Sequence, residues 1–208
     1  MGTKKLFLVL VLFGIFYNYS QAQIAWGIRA GLGYTTSQSS EGVNTKGKAS
    51  FEIGPTAYYS LSRNIYLNSG LNLSFKSFGT DNDTNGDLAT TMNYTSLELP
   101  VNIGTKFSIG DLSLYAQVGP FIGVKLSESI MGQNPGYFNQ LNYGLGGAVG
   151  IDIKKFKIEV GYQKGLANIL SDKFWNDFIG SDWVDYFDFN GKPKVTLNTL
   201  FLGVSYVF

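Results

Sequence analysis

The chain has 208 residues and a hydrophobic fraction of 44%, enough for one domain with a sizeable core, yet only 15% of its residues are charged, against about 25% in soluble domains. That is too little charge to cover an ordinary water-facing surface, so something other than water is expected against part of it. Cys and His are both absent, which excludes disulfides, Ser-His-Asp and Cys-His catalysis, and zinc sites built on thiolate or imidazole.

Lys4 and Lys5 precede an apolar run from Leu6 to Phe16, and Ser20 and Ala22 put small residues ahead of Gln23. The pattern predicts a cleaved secretory signal peptide over residues 1–22 and a mature domain over 23–208, because the run is too short for an anchor helix. Removing those two lysines leaves 14 basic against 15 acidic residues. So even a balance gives no reason to expect a nucleic-acid partner.

Alternation then runs through the chain. Ile24, Trp26, Ile28, Ala30, Leu32 and Tyr34 alternate with Ala25, Gly27, Arg29, Gly31 and Gly33, which predicts a first strand with an aromatic near each end of its apolar face. Ala49 to Leu61 sets Phe51, Ile53, Ala57 and Tyr59 against Glu52, Gly54 and Tyr58; Ser62 to Asn64 is a tight connection to a third strand, Ile65 to Phe78. A fourth, Asn93 to Phe107, opposes Leu97, Leu99, Val101 and Ile103 to Glu98, Pro100, Asn102 and Lys106, with Pro100 a departure the ladder must absorb. Further strands are predicted over Leu112 to Lys125, Leu141 to Ile153, Phe156 to Leu166 and Thr196 to Phe208. The connections alternate short and long, the long ones being Thr35 to Lys48, Gly79 to Met92, Leu126 to Gln140 and Ala167 to Lys194.

About eight strands joined this way predict an all-β, antiparallel, up-and-down barrel with compact turns at one end and displayed loops at the other. Alternation alone does not say which face is inside. A soluble barrel would turn its apolar face inward and leave the other to water, but here the other face is rich in Gly and poor in Lys and Glu. Glycine suits the crowded lumen of a small barrel, so the apolar face is placed outward, against lipid, as a transmembrane barrel. Arg29, Glu52, Lys76, Glu98, Lys106, Asp152, Lys157 and Glu159 then point inward. With both signs present they predict a cross-paired polar plug rather than a single-sign channel.

LELPV (Leu97 to Val101), GPF (Gly119 to Phe121), NYGLGG (Asn142 to Gly147), YQKGL (Tyr162 to Leu166) and the terminal GVSYVF (Gly203 to Phe208) occur in this order. Over the mature chain they resemble the PorT-like outer membrane β-barrel family. The resemblance implies a Gram-negative outer-membrane barrel with both termini periplasmic, a closing strand ending in Phe208 that the barrel-insertion machinery recognises, and no catalytic residues. The family's namesake is associated with protein secretion.

Two further stretches could carry chemistry. Asp81, Asp83, Asn85 and Asp87 follow the opening of a calcium loop, but Met92 stands where the bidentate Glu belongs and strands flank the segment, so an exposed Asn-Gly turn is the competing reading. The last long loop interleaves Trp175, Phe178, Trp183, Tyr186 and Phe187 with aspartates, and Trp175, Phe178 and Ile179 are spaced for one face of a short helix from Ser171 to Ile179. These aromatics suit a partner or glycan surface, or else they fold back over the barrel mouth or rest at the lipid headgroups. The sequence therefore predicts a non-enzymatic outer-membrane protein without a cofactor. Lipid is its surrounding, and its loops meet a protein partner or other surface component. A narrow pore or secretion accessory is the alternative, and an enzyme at the barrel mouth using paired carboxylates is weakest without His.

Overall fold

The computed structural model describes residues 24–39, 46–80, 90–130, 132–179 and 194–208. Their strands are β1 (Ile24–Ser39), β2 (Lys46–Ser60), β3 (Ile65–Gly70), β4 (Asn72–Thr80), β5 (Thr90–Ile109), β6 (Leu112–Ile130), β7 (Leu141–Ile153), β8 (Phe156–Gly165) and β9 (Val195–Val207), with one helix, α1 (Asp172–Ile179). Every pairing is antiparallel, and β1 pairs both β2 and β9, so the sheet closes on itself and has no edge.

The third strand expected from the sequence is divided at Leu71 into β3 and β4, yet it remains one stave of an eight-stave barrel. Thr56↔Gly70 and Ile53↔Leu73 keep a single register along β2. Pro55 sits opposite the break on one side, and Ser69↔Val101 and Asn72↔Glu98 bracket Pro100 on the other. Neither proline has an N–H to give the ladder, while the Leu71 N–H still donates to the Pro55 carbonyl at 3.0 Å.

Following partners once around fixes the geometry. Ile24 leads to Tyr59, Leu67, Ile103, Val118, Gly147, Tyr162 and Leu200, and then back to β1 at Tyr34, ten residues above the start. Ten residues at ~3.3 Å, over eight staves ~4.8 Å apart, give a strand tilt of about 40°. A barrel this narrow leaves room inside only for side chains.

The two faces divide as the alternation predicts. Leu32 is 66% exposed and Val149 61%, while inward-facing Ser96 and Thr35 are at 0%. Outward aromatics gather in two rings: Trp26, Phe107, Phe156, Tyr206 and Phe208 near the turns, and Tyr34, Phe51, Phe75 and Tyr143 about ten residues up their strands, roughly 25 Å at that tilt. The apolar band thus has the height of a hydrocarbon layer. Leu202→Ala on this face should cost about 2 kcal/mol from lost transfer energy, without a cavity term because lipid closes over the site. Urea titration in vesicles checks this; no measurable cost would mean that Leu202 faces water.

Inside, aromatic rings lie over cross-strand glycines. Tyr66 faces Gly104, Tyr115 faces Gly150, Phe121 faces Gly144 and Phe201 faces Gly161, and a Cβ on any of these glycines would stand within 2.8 Å of the ring. The glycine-rich face read from the sequence is therefore a set of seats for inward rings. Toward the loops the strands run beyond the sequence prediction, β1 to Ser39, β5 from Thr90 and β6 to Ile130. Above the lipid both faces can be polar, so the ladder continues after the apolar alternation has stopped.

Candidate functional site: a filled lumen and a capped mouth

The inward charges predicted from parity meet in three groups. Arg29 of β1 lies between Glu52 of β2 and Glu159 of β8: its Nε donates to Glu159 Oε1 at 2.9 Å and its Nη1 donates to Glu52 Oε1. Glu159 Oε2 accepts from Tyr115 Oη and Gln117 Nε2, each at 3.0 Å. The guanidinium also lies 4.9 Å from the centre of the Phe201 ring, a further attraction for this charge.

In the second group Lys76 Nζ is 2.6 Å from Glu98 Oε1 and donates to Gln163 Oε1 at 3.3 Å, while Ser96 Oγ donates to the same Glu98 oxygen at 3.0 Å. Both charged side chains are at most 3% exposed. In the third, nearest the turns, Lys157 Nζ is 2.7 Å from Asp152 Oδ2 and lies 4.9, 5.7 and 4.6 Å from the ring centres of Tyr58, Tyr66 and Tyr115. The mid-lumen cavity bordered by Arg29, Asn72, Phe121 and Gln163 is about 30 Å³, space for a water or two. Among the described residues, paired charges of both signs occupy the lumen rather than a lining of one sign.

The loop end is closed differently. Past the top of β6, residues 132–140 fold over the mouth. Glu128 Oε1 accepts the Tyr137 N–H at 2.6 Å and its Oε2 accepts the Phe138 N–H at 3.0 Å, while Lys125 pairs with Glu128 and donates to the Phe138 carbonyl. Asn139 Nδ2 donates to the carbonyls of Asn168 and Leu170 at 3.0 and 2.9 Å, and the Ser171 N–H donates to the Tyr137 carbonyl at 2.7 Å. So held, Phe138 packs on Phe78 and Tyr94 at 5.8 and 6.0 Å between ring centres, with Ile169, Leu170 and Leu197 completing an apolar lid.

Glu128 is sixteen residues above the start of β6, beyond the ~9–11 residues a tilted strand needs to span a bilayer. Burial works against its charge, but Lys125 and the Phe138 and Tyr137 amides outweigh that and hold its pKa below the ordinary carboxylate value. Its contribution is therefore present above the unfolded pKa and lost as pH falls through the lower folded one. Glu128→Gln at neutral pH, or acidification of the wild type, should lower the protection of the Tyr137 and Phe138 amides, taken against the intrinsic exchange rate at the same pH, while the β6–β7 ladder stays protected. Unchanged protection of those two amides would count against the cap's dependence on this carboxylate.

Of the other residues singled out in the sequence, Asp81, Asp83, Asn85 and Asp87 lie outside the described residues, as do Trp183, Tyr186 and Phe187. Trp175 and Phe178 fall on α1, where the spacing predicts a helix. Sequence reading missed the cap, because it left residues 126–140 as a loop. The signal that segment offers is the aromatic pair Tyr137-Phe138.

A family model described as outer membrane protein beta-barrel domain matches residues 19–171. Among solved structures, the outer membrane protein OprG from Pseudomonas aeruginosa is similar at 14% identity and a TM-score of 0.51, over 90% of this chain and 97% of that one. Neisserial surface protein A is similar at 13% identity and a TM-score of 0.50, over 89% and 99%. The attachment invasion locus protein Ail of Yersinia pestis follows at 14% identity and 0.48, over 89% and 99%. A search of curated proteins returns no match. The likenesses to OprG and Neisserial surface protein A bear on the fold; the family match, across more than half the residues, goes further, and the chain belongs to the outer membrane protein beta-barrel domain family.

Proposed function

We propose that the chain is a non-enzymatic, non-conducting outer-membrane barrel that carries its long loops on the cell surface, where they engage a protein partner or another surface component. The observation that carries this reading is the filled bore: paired charges in the lumen and the Phe138 lid above them leave the loops as the part free to act. The alternative, a narrow pore or secretion accessory, needs a path past Lys76 and Glu98, both almost fully buried. The five short motifs support a place among PorT-like barrels.

In this reading residues 1–22 are removed on export, the barrel machinery takes up the closing strand, and the turns and both termini face the periplasm. Protease added to intact cells should then cut within residues 172–188 and leave the turn at Lys154 and Lys155 intact. Surface cross-linking compares the full chain with one lacking residues 172–188, both confirmed as folded by gel mobility with and without boiling. A partner captured by the first and lost by the second supports the reading, and identical capture by both overturns the assignment to that loop.

A further inference from the structure

We propose that the turn-end mouth of the barrel is a binding site for a phosphate group in its dianionic form. A cavity of about 130 Å³ opens there, bordered by Tyr58, Tyr66, Lys106, Asp152, Lys154 and Lys157. Three ammonium groups meet one carboxylate. Asp152 is taken by Lys157, and neither Lys106 nor Lys154 has an ion-pair partner among the described residues. Lys157 is 8% exposed and is otherwise held by three tyrosine rings. Rings attract a cation without cancelling its charge, so the three lysines and Asp152 leave two net positive charges around one small space.

The backbone adds an independent observation. The β7–β8 hairpin turns on Lys154 and Lys155, and Lys154 has φ +56°, a conformation that two-residue hairpins ordinarily give to Asn, Asp or Gly. A lysine there is disfavoured relative to those residues, and Lys154 borders the cavity. A phosphate monoester or inorganic phosphate carries −1.5 to −2 charges at neutral pH, which matches the surplus. A single carboxylate would balance only half of it. Lysine ammoniums serve phosphate as point charges with freely rotating donors. The same chemistry could come from a soluble phosphate or from the monoester headgroup of phosphatidic acid in the adjoining leaflet.

The test is calorimetry with inorganic phosphate on the folded barrel in a nonionic detergent at low salt. Saturable one-to-one binding is expected, weakened at least tenfold by Lys154→Asn and by Lys157→Met, and unaffected by Lys164→Gln on the outer face of β8. Lys154→Asn suits the left-handed turn and keeps the fold even if Lys157→Met does not. Absence of saturable binding, binding that Lys154→Asn leaves intact, or equal affinity for acetate overturns the proposal. Repeating the titration in phosphatidic acid and in phosphatidylcholine vesicles separates the sources: loss only in phosphatidic acid assigns the site to the headgroup, and binding in both assigns it to soluble phosphate.

Discussion

Arg29→Met is expected to destabilise the barrel by about 3–5 kcal/mol, the cost of leaving buried charge without its partner. Among the described residues Arg29 is the one cation placed between Glu52 and Glu159, whose side chains are 9% and 4% exposed. Removing it leaves two desolvated carboxylates facing each other across the bore. Glu159 would keep its donors Tyr115 and Gln117, so Glu52 should be the worse placed of the two. The triple variant Arg29→Met, Glu52→Gln, Glu159→Gln removes the surplus charge while retaining polar acceptors for Tyr115 and Gln117, and should recover most of the loss. Urea titrations in vesicles, run in parallel on the single and triple variants, check both statements. A single variant as stable as wild type would show that the triad is solvated rather than packed.

Gly119→Val should prevent closure of the β5–β6 seam. A Cβ at Gly119 would stand 2.0 Å from the Val101 carbonyl oxygen and 2.7 Å from the Asn102 Cα. These are backbone atoms in the wall of a closed sheet, so no side-chain rotation relieves the clash. The cost should reach or exceed the upper end of the ~1–3 kcal/mol that overpacking brings. Gly146→Ala is the matched control: its Cβ would meet Gln163 Cγ at 3.5 Å, ordinary contact. Gel mobility without boiling should show a folded band for Gly146→Ala and little or none for Gly119→Val. Equal folding of the two would mean that the seam has slack absent from the packed arrangement.

Period-two alternation was legible because each stave has one surrounding on each side. It located every stave, it assigned Arg29, Glu52 and Glu159 to the lumen, and low charge with abundant glycine turned the apolar face outward. Parity says which way a side chain points, but not whom it meets. Glu52 and Glu159 are 23 and 130 residues from Arg29 in the chain, and their meeting depends on the ten-residue shift around the barrel, which no local pattern carries. Pro55 and Pro100 likewise interrupt a ladder from across it, so the break at Leu71 has no mark in its own segment. The lid escaped because Phe138 is buried by residues 78, 94, 169, 170 and 197, and its support from Glu128 comes after the apolar alternation of β6 has ended.

The claim that joins fold to function is that the bore is filled from the Lys157 tyrosines to the Phe138 lid. Current recorded across a planar bilayer containing the folded, full-length mature protein measures this directly. A flat trace at neutral pH, with insertion confirmed independently by protection of the strands from protease, is the predicted result. Discrete, repeatable conductance steps from the wild-type protein would contradict it.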